Sequence, residues 1–368
     1  MTDLATHPGP RPQPSPRLSI VIDNYRYEQF VARTIESALA QTVAERVEVI
    51  VIDDGSPDDS MAVINRYADR VQVIAKPNGG QASAYNLGLQ VARGELILYL
   101  DADDWLYPDA AAEILAAWVP GVSKVQFPLD LVDVAGDPLH RQVPRTMQDG
   151  AEAEQLMRGW GAYGSPPGSG NVYHREFLRQ VMPLDEAIWR NAADSVPVLL
   201  APAYGRVVSL PRALGVYRVY RPRADASLVF NNYDSSMLTE YRRIMAGKRA
   251  VTQALDQLGQ PHAEPLGLAP WEARTVVLCA RFGGEDARQA MQPSVAARVR
   301  QAMCAILRWP RMTPSRRLAT LVWMLGVLVL PRPQAHRLAL IHRRSAGVPT
   351  PPSAHCAAAR LAAVKSRS

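Results

Sequence analysis

The sequence predicts an α/β fold: a mostly parallel sheet with flanking helices, followed by a helical C-terminal region. Three observations predict it. Short runs rich in Val, Ile and Leu alternate with amphipathic segments between Leu18 and Trp118. The runs exit onto charged residues. From Asn231 onward the apolar spacing is helical. Strand alternating with helix implies parallel strands joined by right-handed crossovers.

The four runs are Leu18 to Asp23, Val47 to Asp53, Val71 to Lys76 and Leu96 to Asp101. They are strand-length and continuously apolar, as strands covered on both faces are. The segments between and after them are expected helices: Tyr27 to Gln41, Asp58 to Tyr67, Gln81 to Arg93 and Pro108 to Trp118. Proline at the start of the last suits the first turn of a helix. Residues 124–215 continue as mixed structure with many Pro and Gly. The expected organisation is a disordered Pro-rich lead-in at 1–17, an α/β domain at 18–230, a basic helical region at 231–345 and a disordered tail at 346–368. The lead-in carries Pro8, Pro10, Pro12, Pro14 and Pro16 and no apolar export core, so a cytoplasmic location is expected.

A chain of 368 residues with 48% hydrophobic content can bury one large or two ordinary cores. Cys279, Cys304 and Cys356 are far apart and match no zinc or redox spacing. The net charge of +6 is unevenly spread. After Asp286 there is no acid, while 14 Arg and Lys follow. The preceding part therefore carries −8, with 27 basic against 35 acidic side chains. An acidic body with a basic tail points to an anionic partner for the tail. Other phosphate-handling classes lack their signatures. A dinucleotide oxidoreductase needs Gly-x-Gly-x-x-Gly after the first strand, where this chain has Asn24-Tyr25-Arg26-Tyr27-Glu28. No Gly-Lys-Ser or Gly-Lys-Thr of a phosphate-binding loop is present.

Asp23, Asp53, Asp54, Lys76, Asp101, Asp103 and Asp104 all fall at or just after expected strand ends. Ligands of open parallel sheets bind at that edge. One such acid is usually a helix cap. Four charged strand ends, two with doubled acids, need a cation or a hydroxyl-rich ligand to share them. In Asp101-Ala102-Asp103-Asp104 the carboxylates can face a hard divalent cation and a ribose. Asp53 of Asp53-Asp54-Gly55-Ser56 can accept hydrogen bonds from a nucleobase or ribose, while Ser56 and Asp58 suit caps. Asn78-Gly79-Gly80 reads as a tight turn, with Lys76 before it free to meet a phosphate.

These motifs together resemble family 2 glycosyltransferases of the GT-A fold. The resemblance rests on four motifs in order: Ser19-Ile20-Val21-Ile22 with Asn24-Tyr25; Glu48 through Asp53-Asp54-Gly55-Ser56; Asn78-Gly79-Gly80-Gln81 through Tyr85-Asn86-Leu87-Gly88; and Gly94-Glu95 with Asp101-Ala102-Asp103-Asp104-Trp105. It covers residues 18–225. It implies an inverting transfer of a sugar from a nucleotide-diphosphate donor to an acceptor hydroxyl, with Mg²⁺ or Mn²⁺. It assigns Asn24, Tyr25, Asp53, Asp54, Lys76, Asn86, Asp101 and Arg218 to the donor and Asp103 to the metal. Gly170, Asn171 and Trp189 fall on the acceptor side. Asp194, in Trp189-Arg190-Asn191-Ala192-Ala193-Asp194, takes the place of the catalytic base, with Asp185 and Glu186 as fallbacks. The expected acceptor is a glycan or lipid-linked saccharide of cell-surface or polysaccharide synthesis. No Gln-x-x-Arg-Trp of polymerising members occurs, so single addition is expected.

Three positions depart from the family pattern. Asp23 stands at its proline, Arg26 at its asparagine, and Tyr220 at a histidine that contacts metal or diphosphate. Arg218 or Arg221 could compensate by pairing with diphosphate oxygens; the alternative is a degenerate, non-catalytic relative that serves as a binding or scaffold protein. In the tail, the apolar stretch from Leu318 to Leu330 is too short to span a bilayer, which takes about 20 residues. Flanked by Arg316, Arg317 and Arg332, it reads either as an interfacial contact with an anionic membrane or as a core helix of the tail. The membrane reading adds peripheral attachment to the inner face of the cell membrane. No nucleic-acid partner is expected.

Overall fold

The computed structural model describes residues 16–220 and 236–346, with side chains through Leu340. The lead-in through Ser15, the boundary at 230/231, Arg221 and the tail from residue 347 lie outside the described residues.

The four apolar runs form β1 (Leu18–Asn24), β2 (Val47–Asp53), β3 (Gln72–Ala75) and β4 (Leu96–Asp101). β5 (Trp105–Leu106), β6 (Val122–Gln126), β7 (Leu129–Val132), β8 (Pro138–Val143), β9 (Asn171–His174), β10 (Arg206–Ser209) and β11 (Gly215–Arg218) follow. The main sheet has the order β10-β6-β9-β4-β1-β2-β3; among the described residues a second sheet runs β5-β11-β7-β8. β1, β2, β3 and β4 pair in parallel, and β9 lies antiparallel between β4 and β6. The third run was expected to be covered on both faces. It is instead the edge strand, with Gln72 and Ala75 exposed.

Helices α1 (Val31–Leu39), α2 (Ser60–Ile64), α3 (Gln81–Val91) and α4 (Ala110–Ala117) occupy the expected crossovers. They are followed by α5 (Gly150–Trp160), α6 (Arg175–Val181) and α7 (Ser195–Tyr204). Each face of the sheet carries its own core. Val21, Ile50, Ile52 and Tyr99 pack on one side with Tyr85 of α3; Ile20, Ile22, Val51 and Leu98 pack on the other with Val31 and Ile35 of α1. This two-sided burial is why the strands read as continuous apolar runs rather than alternating ones.

The C-terminal region is all helical: α8 (Met237–Gln257), α9 (Pro270–Phe282), α10 (Gly284–Ala290), α11 (Val295–Arg308), α12 (Pro314–Val329) and α13 (Arg332–Ala346). α8 links the two parts. Its Ala246, Val251 and Leu255 belong to the α/β core, and its Tyr241 to the helical core of Val276, Ile306, Met324 and Val327.

Strand order fixes where a ligand crevice must lie. From β1 the chain steps outward to β2 and β3, then returns to place β4 on the other side of β1. The order reverses between β1 and β4, and a crevice opens at the carboxyl ends of strands at such a point. Asp23 and Asp101 are register partners across that reversal, and Asn24 is the partner of Asp53.

Candidate active site

The reversal gathers acids from three strand ends. Asp101, Asp103 and Asp104 each offer an oxygen within 4.8 Å of the others. Burial is the main reason that all three carboxyls are pushed above their ordinary range; for Asp101 and Asp104 neighbouring aspartates add to it. Burial also lifts Asp23 to about 8, with the charges of Asp103 and Asp54 adding to it, and Asp23 Oδ1 is buried without a hydrogen-bond partner. The all-oxygen set of Asp101, Asp103 and Asp104, with Asp23 and its orphaned oxygen on the neighbouring strand, fits a hard divalent cation.

Hydrogen bonds separate the acids that hold the loop from those that remain open. Asp104 accepts from Ser169 Oγ at 2.6 Å and from the Arg218 amide at 2.9 Å, so both oxygens are engaged. Asp103 accepts from Tyr220 Oη at 2.8 Å on one oxygen. Tyr220, standing where the family has histidine, thus touches the carboxylate expected at the metal. Asp101 accepts from Gln81 Nε2 at 3.1 Å. Asp53 is buried at the end of β2 and engaged on both oxygens, Oδ1 by Asn24 Nδ2 and Ser56 Oγ and Oδ2 by the Ser56 amide. Half-buried Tyr25 lies one residue past the end of β1.

Several residues expected at the donor are engaged in structural hydrogen bonds. Asp54 receives four donors: Lys76 Nζ at 2.5 Å, Asn78 Nδ2 at 2.9 Å, and the amides of Gly79 and Gly80 at 2.8 and 2.7 Å. Its oxygens are consumed in latching the 76–80 turn, and Lys76, also bonded to the Pro77 carbonyl, is held there as its counter-ion. Asn86 spends its amide on the Leu184 backbone and on Glu186. The Arg218 guanidinium donates to the carbonyls of Asp103, Asp133 and Val134 and stacks on Phe30 and Trp105. Through Nε and Nη1 it braces two loops.

The acceptor-side expectations divide similarly. Asn171 is fully buried, bonded to Lys124, Ser165 and the carbonyls of Pro166 and Pro167. Gly170 is buried, and a Cβ there would come 2.7 Å from both the Phe127 carbonyl and Pro166. Trp189 is a core residue, 6% exposed, packed in the α/β core rather than facing an acceptor. Of the fallback bases, Asp185 caps the Ala187 and Ile188 amides and Glu186 is tied to Asn86, both exposed.

Asp194 differs from all of these. It occupies the N-cap of α7, yet its side chain makes no capping hydrogen bond and accepts none from another residue. It lies beside Gly168, where an added Cβ would sit 3.1 Å from Tyr85 Oη and 3.7 Å from Asp194 Cβ. Burial pushes its carboxyl above the ordinary range, against the opposing charges of Lys124 and Arg243. A raised, unpaired carboxylate in a crevice is suited to take a proton.

Three further residues connect the parts. Gln81 donates to Asp101 and accepts from the Ala193 amide at 3.2 Å, tying the donor-side acid to the segment that carries Asp194. Ser169 bridges the Asp101 amide and Asp104. Lys124 is a completely buried lysine, held by Ser165 and Asn171. Local sequence gave no signal for Lys124, since it sits alone in the Val122–Gln126 strand. Gln81 and Ser169 lay inside recognisable motifs, but their partners are far away along the chain.

Residues 19–181 match the sequence model of glycosyl transferase family 2. Residues 19–181 are thus a glycosyl transferase family 2 segment. An uncharacterized glycosyltransferase of Nostoc sp. (strain PCC 7120) is 33% identical over 212 residues, covering 55% of this chain and 65% of that protein. Chondroitin synthase of Pasteurella multocida (strain Pm70) is 45% identical over 98 residues, 26% of this chain and 10% of that protein. The chain thus spans less than two thirds of the length of these relatives. Residues 1–349 of Staphylococcus aureus TarS, solved in complex with UDP, superpose with a TM-score of 0.51 at 15% identity, covering 89% of this chain and 92% of that one. The family 2 domain therefore has the GT-A fold.

The Asp54 latch carries a stability prediction. Asp54→Ala strands four donors, one of them the Lys76 charge, in a partly buried site. Removing one member of such a pair costs about 3–5 kcal/mol. Urea unfolding should show a loss in that range; a change below about 1 kcal/mol would mean that the latch is only a surface pair.

Proposed function

We propose that the chain is an inverting glycosyltransferase that moves a sugar from a nucleotide-diphosphate donor to an acceptor hydroxyl in glycan or polysaccharide synthesis. The observation that carries this reading is Asp194: a carboxylate that makes no capping bond and lies close enough to Asp101, beside Asp103, for its charge to raise the Asp101 carboxyl. Membership of the family and partial likeness to chondroitin and hyaluronan synthases support the class of chemistry. The proposed division into an α/β domain at 18–230 and a helical region at 231–345 assigns this chemistry to the first.

In this reading Asp53 binds the base or ribose, with Asn24 and Ser56 orienting it and Tyr25 beside it, and Asp101 takes the ribose side. Asp103, with Asp101, would hold Mg²⁺ or Mn²⁺, which when bound offsets the negative charge of the diphosphate. Asp194 removes the proton of the acceptor hydroxyl as that oxygen attacks the anomeric carbon. The attack comes from the face opposite the departing diphosphate, so the configuration inverts. Gln81 holds the two walls in register, and the Gly168–Asn171 loop backs the acceptor.

A thermal-shift panel of UDP, GDP, dTDP and CDP sugars with Mn²⁺, Mg²⁺ or EDTA tests the reading. A ligand bound only by the folded state adds about 2.7 kcal/mol at 100 times its Kd. A shift with one nucleotide class identifies the donor. Absence of any shift overturns the reading in favour of a binding or scaffold protein.

A further inference from the structure

The apolar climax of the tail forms α12, and the helix is apolar on two opposite faces. Thr320, Trp323, Met324 and Val327 point inward and are buried, the last three in the core of the helical region. On the outer face Leu318, Val322, Leu325 and Val329 are 65, 60, 47 and 79% exposed. Their spacing of 4, 3 and 4 residues keeps them on one side of the helix. Leu330 follows, 37% exposed. The core-helix expectation thus accounts for the inner face alone. A helix apolar all round is normally covered all round, and among the described residues nothing covers this stripe.

We propose that the outer face of α12 is a docking surface for an anionic lipid bilayer, on which the helix lies in the plane of the interface. The length fits this orientation: no described helix is long and apolar enough to cross a membrane. The charges fit it too. Arg316 precedes the stripe and Arg332 follows it, both exposed; Arg300 and Arg308 on α11 and Arg337 on α13 are also exposed. Among the described residues none of these five makes an ion pair, whereas Arg311 pairs with Glu152, and the sequence after Asp286 holds no acid. An exposed apolar stripe, flanked in sequence by Arg316 and Arg332 in a region whose exposed arginines lack acid partners, matches the acyl boundary and anionic headgroups of a bilayer. Nucleic acid would use the arginines and leave the stripe wet. A second copy of the chain would bring two sets of these arginines together. The tail at 347–368 adds three more basic residues and has no apolar run of matching length.

The test is co-sedimentation of the full chain with vesicles of phosphatidylcholine alone or with about one third phosphatidylglycerol. No donor or acceptor is added, so the result is independent of the catalytic reading. Binding to the anionic vesicles is expected, at least about tenfold tighter than to the neutral ones and weakened by about 0.5 M salt. The combined variant Leu318→Ser, Val322→Ser, Leu325→Ser and Val329→Ser should lose at least about tenfold in partition with an unchanged thermal midpoint, since these side chains are exposed. Arg316→Ser with Arg332→Ser should remove much of the salt dependence. Equal sedimentation of the stripe variant and the parent would overturn the proposal. So would a lipid-free parent that is a dimer by light scattering and becomes monomeric in the stripe variant, because the stripe is then a self-association face.

Discussion

Asp194→Asn is expected to lower kcat by about 100- to 10,000-fold, the span that a positioned general base contributes, while leaving nucleotide-sugar binding within about twofold of the parent. The side chain makes no capping bond and accepts none from another residue, so the substitution removes a proton acceptor without breaking a structural contact. The same geometry sets two accompanying results. Burial raises the carboxyl above its ordinary value of 3.8, so the parent's kcat should climb with pH through a range above that of a free carboxylate. The Asn variant should lack that limb. For stability the sign is opposite. A folded-state pKa raised above the unfolded one favours folding while the group is protonated in both states, and this contribution is lost as pH rises through the folded value. At neutral pH the charged Asp194 is therefore a destabilising group, and Asp194→Asn should melt no lower than the parent. An inactive variant that also melts several degrees lower would point to a structural role. A variant with near-parental kcat would move the base elsewhere.

The fold was legible because its strands are buried on both faces and its crossovers are short. β1, β2 and β4 came directly from apolar runs ending in acids, and the strand order placed those acids at one reversal. What the sequence could not separate was an acid that binds from an acid that builds. Asp53 and Asp54 are adjacent and chemically identical. Asp53 is held by Asn24 and Ser56 beside the end of β1, while Asp54 enters the 76–80 turn, where four donors consume it. Arg218 likewise spends its Nε and Nη1 on three carbonyls. Trp189 read as a ligand-facing aromatic because it stands in a motif segment, yet its ring is core. The antiparallel β9 was hidden for a similar reason. Its pairing with β4 and β6 spans large sequence separations, and a four-residue strand carries too little periodicity to announce itself.

Asp103→Ala should abolish the Mn²⁺-dependent thermal shift produced by the donor nucleotide, a loss of about 2.7 kcal/mol at 100 times Kd. Asp103 differs from its neighbours in what it leaves open. Asp104 has both oxygens engaged by Ser169 and the Arg218 amide, whereas Asp103 receives a single side-chain donor, Tyr220 Oη. Without metal the variant's stability is a balance of two effects. Burial holds the Asp103 carboxyl above its ordinary range, so deleting it relieves a charge that is unfavourable at neutral pH. The deletion also strands the buried Tyr220 hydroxyl, which costs about 1–3 kcal/mol. The two oppose, and the melting point without ligand should move little. Tyr220→Phe separates them. It keeps the carboxylate and removes its donor, so the metal-dependent shift should persist and, with one competing hydrogen bond gone from Asp103, saturate at equal or lower Mn²⁺. Loss of the shift in Tyr220→Phe would instead mean that the tyrosine hydroxyl is itself needed at the donor site, as the histidine it replaces is in the family pattern. Persistence in Asp103→Ala would shift the metal-side role to Asp101 and Asp23, the register pair across the reversal.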